Sequence, residues 1–206
     1  DVYIPEGEIA PGKLSQAYQF GTQMIQVNGN FDDAFTKSLS AAKEPGSYTV
    51  NSINPFRIEG QKTISFEIVQ QFNWKVPDFV IVPGGNLGNV SAIGKGFQMF
   101  YDLGIIDKLP RLVCAQAQQA DPLYRSYIKG FKTFESVQAK KTLASAIQIG
   151  DPVSYKKAIR ALQAFDGIVE TATESELANA AGRANKTGLL CCPHTGVALA
   201  VLEKLI

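Results

Sequence analysis

The sequence predicts an α/β protein of three layers, α/β/α, built on a mostly parallel sheet. Two observations carry that prediction. β-rich runs alternate with helical-period runs along the whole chain, and the run DFVIV (78–82) is nearly all apolar, as suits a central parallel strand buried on both faces. No internal repeat or low-complexity linker interrupts the alternation.

Taken in order, DVYIP at the start reads as a strand. GKLSQAYQF reads as a helix in which Leu14, Ala17 and Tyr18 keep the i, i+3, i+4 spacing until Gly21 stops it. TQMIQV is a second strand. Asn30 is a good N-cap for FDDAFTKSLSAAK, whose Asp32 and Asp33 lie in the first turn, where the helix dipole favours negative charge. Glu44-Pro45-Gly46 closes that unit, and SYTVNS reads as a third strand. The run RIEGQKTISFEIVQQF reads as one helix with Ile58, Ile64, Ile68 and Phe72 toward the core, before Pro77 and the strand DFVIV.

NVSAIGKGFQMFYDLG is a helix, RLVCAQ a strand and DPLYRSYIKGF a short helix, followed by a less regular stretch to Gly150. Asp151 is expected to cap PVSYKKAIRALQAF, with Pro152 at the first helical position. GIVET is a short strand. Thr173 and Glu176 have capping-box spacing for ESELANAAGRANK, which Gly188 ends; LLCCP and a final helix from HTGVALAVLEKLI complete the chain.

Composition narrows the function classes. At 45% hydrophobic, the 206 residues can build a substantial core, and with 19% charged residues and a net charge of +1 there is no basic stripe of the kind that binds nucleic acid. No apolar run reaches the roughly 18 residues that span a bilayer, and no charged start followed by an apolar core marks a signal peptide in these residues, so a soluble protein is expected. Cys114 stands alone while Cys191 and Cys192 are adjacent, which fits reduced thiols in an intracellular compartment rather than a disulfide framework. One histidine, His194, and no spaced cysteine pairs leave no protein-built metal site. The chain opens on Asp1 without a methionine, like the middle of something longer.

VPGGNLGN (82–89) is the stretch with chemistry in it, because it follows an apolar strand and opens a helix. Glycines lacking Cβ let backbone N–H groups approach one point, and a helix start adds positive dipole; together these make an anion cradle suited to a phosphate. Against that stands a tight strand-to-helix turn whose glycines serve geometry alone. The spacing is neither G-x-G-x-x-G nor a Walker loop, so dinucleotide and P-loop nucleotide binding are not supported.

NSINPFR, EGQKT, PDFVIVPGGNLGN, PRLVCAQA, ASAIQIGDPVS and CPHTGVAL, in that order, resemble the threonine synthases, members of the fold-type-II pyridoxal phosphate (PLP) enzymes. EGQKT and the glycine-asparagine loop are shared with threonine dehydratases; NSINPFR, GGNLGN and AIQIGDPVS together are more particular. The resemblance implies a tryptophan synthase β-like fold, with residues 1–54 in a smaller lobe and 55–206 in a larger, PLP-binding lobe. It also implies a lyase that converts O-phosphohomoserine and water to threonine and phosphate, a homodimer, and residence in cytoplasm or plastid. A threonine or serine dehydratase, or an inactive anion-binding α/β fragment, is the alternative.

Residue by residue, the resemblance implies that Gly84, Gly85, Asn86, Leu87, Gly88 and Asn89 hold the cofactor phosphate, and that Asn51, Ser52 and Arg57, with Asn86, surround the substrate phosphate. A guanidinium suits that task because it can bind a phosphate bidentately. Read locally, without the resemblance, Arg57 is a solvated helix-start arginine paired with Glu59 or with nothing, and Asn51 and Ser52 are turn formers before Pro55. His194 and Thr195 open the last helix where relatives place small polar residues beside the cofactor, so both are possible pocket-lining residues. No catalytic residue is assigned: the family's Schiff-base lysine belongs upstream of Asp1, Lys62 is better read as structural, and GFKTF (130–134) lies in the wrong order. The segments that embrace the cofactor ring and partner its nitrogen are also missing, so the chain is expected to be a piece of a longer enzyme, inactive by itself.

Overall fold

The computed structural model describes residues 1–6 and 11–206, which separate into two compact units, Asp1–Asn51 and Ser52–Ile206. In the first, strand β1 (Val2–Pro5) pairs in parallel with β2 (Met24–Val27), Val2 opposite Met24, and the two are joined through helix α1 (Pro11–Gln19). Helix α2 (Phe31–Ala41) follows from a complete capping box: Asn30 Oδ1 accepts from the Asp32 and Asp33 amides, and the Asp33 carboxylate accepts from the Asn30 amide at 2.8 Å. Ile4, Val27 and Ala34 form its buried centre, whereas α1 buries none of its residues despite its apolar spacing. The expected third strand, SYTVNS, does not form. Tyr48 and Val50 remain 69% and 75% exposed, and β propensity without a neighbouring ladder does not make a strand.

The second unit holds a parallel sheet of β3 (Phe79–Pro83), β4 (Arg111–Ala117) and β5 (Ile168–Ala172) in that spatial order, with Val82 opposite Cys114 and Cys114 opposite Val169. The period-2 alternation of β4 sorts its side chains into two cores. Leu112 and Cys114 join Val82, Phe97 and Leu162, contributed by β3 and by helices α5 (Gly88–Asp102) and α7 (Tyr155–Ala164). Val113, Ala115 and Ala117 join Leu177, Ala180, Val197 and Val201 of helices α8 (Glu174–Lys186) and α9 (Pro193–Leu205). Helices therefore cover both faces of the sheet, which is the three-layer, parallel α/β architecture. Thr173 and Glu176 make the expected capping box on α8.

Two further expectations are corrected. The run 57–72 is not one helix: α3 (Pro55–Gln61), capped by Asn54, is followed by α4 (Thr63–Gln71), with Lys62 at the break. The break rotates the second half, so Ser65 and Val69 are buried while Ile64 and Phe72 are exposed. Small residues explain the preference. Ser65 Oγ donates to Ile93 O at 2.7 Å, and a Cβ on Gly96 would stand 2.2 Å from Lys62 O and 2.8 Å from Ser65 Cβ, so α4 and α5 approach more closely than larger side chains permit. The second correction is that Asp151 caps nothing. Helix α7 starts at Tyr155 after Ser154, because Asn86 ties down the preceding backbone: Asn86 O accepts from the Ser154 amide at 3.1 Å and Asn86 Oδ1 from the Val153 amide at 3.4 Å. LLCCP also stays outside the sheet. Among the described residues no helix is long and apolar enough to cross a membrane.

The Gly96 contact yields a prediction. Gly96→Ala costs about 1–3 kcal/mol of stability, the usual penalty for overpacking against backbone; urea unfolding followed by circular dichroism measures it, while Gly182→Ala, where nothing lies within 4 Å of the added Cβ, leaves the midpoint unchanged or raises it.

Candidate functional site

The site begins where the sheet stops. The Gly84 amide makes the last rung of the β3–β4 ladder, onto Ala115 O at 2.7 Å. Beyond it, among the described residues, the amides from Gly85 to Val90 bond no main-chain or side-chain acceptor; the next to find one is Ser91, onto Leu87 O at 3.3 Å. These are the orphan donors of a helix start with no capping side chain, since α5 is preceded by Leu87 in the left-handed region (φ 63, ψ 9). A left-handed residue with a Cβ costs roughly 1–2 kcal/mol. Burial of the Leu87 side chain, 2% exposed within the core of Val82, Val90 and Phe97, returns about 1.5–3 kcal/mol and holds the turn.

Glycine is required at two positions for close approach. A Cβ on Gly84 would stand 2.4 Å from Cys114 Sγ, and one on Gly85 would stand 3.0 Å from Ile147 Cγ2 and 3.1 Å from Ile147 Cα. The loop is thus pressed between β4 and the 3-10 turn Ser145–Ile147, and its residues 85–89 line a cleft of about 460 Å³. Uncapped N–H groups at a helix start, crowded so that only a bare backbone fits, suit a phosphate group.

Gly85, Asn86, Leu87, Gly88 and Asn89 line this cleft; Gly84 sits behind them against β4. Ser52 and Arg57 line it too, and Ser52 Oγ accepts from Arg57 Nη1 at 3.4 Å and Asn86 Nδ2 at 3.3 Å. Glu59, the alternative partner of Arg57, is instead bound by Lys62 at 2.8 Å and by Lys95, which hold its carboxyl down at about 2. Asn51 closes the first unit, its Nδ2 3.5 Å from Ser38 Oγ. His194 lines the cleft and Thr195 does not, because Thr195 is turned back on Cys192, its Oγ1 3.6 Å from the sulfur.

His194 has a defined role at the cleft wall. Its Nε2 accepts from the Ala146 amide at 2.9 Å, so the neutral ring carries its proton on Nδ1, which lies 3.3 Å from Cys192 Sγ. Hydrogen bonds from the Thr195 amide and hydroxyl, then from His194, bring the exposed Cys192 thiol down to about 6; burial pushes Cys114 up to about 12. Residues not anticipated from sequence include Ile58, Gln61, Pro83 and Ile149 in the cleft wall, and Gln116 behind the loop. For Gln116 there was a signal: an amide in the otherwise apolar strand VCAQA.

Fold and loop define a class: a parallel α/β protein presenting an uncapped, glycine-lined helix start at the carboxyl end of a strand. Solved structures share the architecture. Threonine synthase from Escherichia coli superposes with a TM-score of 0.76 at 21% identity, covering 98% of this chain and 49% of that one. An L-serine ammonia-lyase from Rhizomucor miehei gives 0.79 at 19%, covering 98% and 61%. The pyridoxal-phosphate dependent enzyme family model matches residues 1–206, and the chain belongs to that family. Among curated relatives, threonine synthase 2, chloroplastic, of Arabidopsis thaliana is 51% identical over 205 residues, 99% of this chain and 40% of that protein. Threonine synthase of Methanocaldococcus jannaschii is 47% identical over 206 residues, 100% and 51%. The chain spans about half the length of the curated relatives it matches.

The thiol geometry predicts a pH profile. Cys192 is a thiolate above about pH 6 and a thiol below it, so its alkylation by iodoacetamide, mapped by mass spectrometry, rises to half its plateau near that pH. Thr195→Ala moves the midpoint upward, and Cys114 stays unlabelled in the folded protein.

Proposed function

We propose that these residues supply the cofactor-phosphate cradle and the substrate-phosphate site of a threonine synthase, which converts O-phosphohomoserine and water to threonine and phosphate. The observation that carries the reading is the pairing of two anion sites in one cleft: the unbonded amides following Gly84, and Arg57 with Ser52 and Asn86 beside them. A dehydratase needs the first and has no use for the second. The identities of 47–51% to proteins named threonine synthase support the same choice.

In this reading Gly85 to Asn89 hold the phosphate of PLP by backbone N–H donation at the start of α5, while Gly84, expected among them from the sequence, spends its own N–H on Ala115 O and anchors the loop from behind; bound PLP would supply the electron sink for the substrate carbons. Arg57 offers the substrate phosphate a forked pair of N–H donors; Ser52 keeps that guanidinium and the Asn86 amide on one side of the cleft. Asn86 has a second duty, since it also fixes the backbone at Val153 and Ser154. These contributions are positional and electrostatic. Asn51 is assigned to the same anion site by its place beside Ser52 in NSINPFR. Thr195 is assigned no contact with the cofactor. The lysine that bonds the cofactor is assigned to no residue here; Lys62 serves the Glu59 pair. The larger lobe of the reading is Ser52–Ile206, three residues earlier than the boundary expected from sequence. Homodimerisation and residence in cytoplasm or plastid belong to this proposal too.

The test is phosphate release from O-phosphohomoserine by the whole protein with PLP present. Arg57→Ala raises KM for O-phosphohomoserine roughly 10- to 100-fold, the worth of a lost charge-assisted contact, and leaves PLP affinity unchanged. Deamination of serine or threonine with no use of O-phosphohomoserine makes the protein a dehydratase; phosphate binding with no turnover of either makes it an anion-binding module.

A further inference from the structure

We propose that Gln116 is a positioning residue that aims the Gly85 amide at the cofactor phosphate, an inference that rests on reading the glycine loop as the phosphate cradle. Gln116 lies on β4 with its side chain on the Leu112–Cys114 face, 0% exposed, and all three of its polar contacts are to backbone. Its Oε1 accepts from the Leu123 amide at 2.9 Å and the Tyr124 amide at 3.0 Å, in the first turn of helix α6 (Pro122–Tyr127). Its Nε2 donates to Gly84 O at 3.2 Å.

The orientation of the amide is therefore not free. Two donors hold the oxygen, which leaves the nitrogen end to face Gly84. The Gly84–Gly85 peptide bond is trans, so a planar unit that turns the Gly84 carbonyl toward Gln116 turns the Gly85 N–H the opposite way. Gly85 is itself a lining residue of the cleft. The preceding peptide is fixed as well, through the Gly84 amide on Ala115 O. With Gly84 held at both its N–H and its carbonyl, and Ile147 packed on Gly85, the first free amide of the cradle is set before any ligand arrives. Preorganisation of this kind raises affinity by removing an ordering cost from binding.

A purely structural role, capping α6, would leave the cradle unaffected, and two substitutions separate the roles. Gln116→Met removes every polar contact at similar volume. Gln116→Glu in alkaline buffer keeps an acceptor for Leu123 and Tyr124 but cannot donate to Gly84 O. In the ligand-free full chain, both variants shift the 15N–1H resonance of Gly85, and both bind PLP roughly tenfold more weakly than wild type while binding pyridoxal, which lacks the phosphate, equally well. A lowered thermal midpoint with an unmoved Gly85 resonance and unchanged PLP affinity overturns the proposal and leaves Gln116 a helix cap. Wild-type protein that prefers PLP over pyridoxal by no margin overturns the cradle reading itself, and with it any phosphate role for Gln116.

Discussion

The 2.7 Å hydrogen bond from the Gly84 amide to Ala115 O is the point on which the cleft depends. Up to that rung, β3 runs in register with β4 and donates to it from alternate residues; past it, the chain must leave the sheet and enter α5 without letting another part of the protein claim the amides it exposes. The register Val82 opposite Cys114 fixes where this happens. A slip of one residue would turn Val80 and Val82 to the opposite face of the sheet and bring side chains, instead of bare backbone, against Cys114 and Ile147.

Packing joins the two hydrogen bonds at Gly84 in keeping the loop open. Leu87 buries its side chain in the core and in doing so accepts a left-handed backbone, an unfavourable conformation offset by an apolar burial of equal or greater size. Cys114 occupies the space behind Gly84, and Ile147 the space beside Gly85. The neutral thiol of Cys114 suits that place, since burial leaves it protonated and inert. Polar side chains gather at one part of the cleft wall, where Ser52, Arg57 and Asn86 meet, and His194 is steered by Ala146. A loop fixed by packing and polar side chains held in place beside it are what the proposed reaction requires of this part of the protein, because donors positioned in advance need no reorganisation when charge arrives.

Asn86 shows how one side chain links binding chemistry to folding. Its carbonyl groups, main-chain and side-chain, hold Ser154 and Val153, while its amide nitrogen reaches Ser52. The start of α7 is therefore set by the glycine loop, which is why Asp151, a good cap by its local sequence, is bypassed. Lys62 tells a similar story at the α3–α4 break: the close approach of Gly96 and Ser65 rewards a helix phase that hydrophobic spacing alone did not favour.

What the sequence by itself determined is what short-range physics controls. The apolar run at 78–82, the capping pairs Asn30–Asp33 and Thr173–Glu176, and the glycine loop between strand and helix are each written in adjacent residues, and the parallel three-layer architecture follows from their alternation. Only the tertiary structure decided which way α4 faces, that SYTVNS finds no sheet, that Thr195 turns to Cys192 while His194 turns to the cleft, and that Glu59 is taken by lysines and so leaves Arg57 beside Ser52. Gln116 belongs to the second group as well. Its buried amide could be seen to need partners, but its partners, Gly84, Leu123 and Tyr124, are set by strand register and loop closure, which no local window encodes.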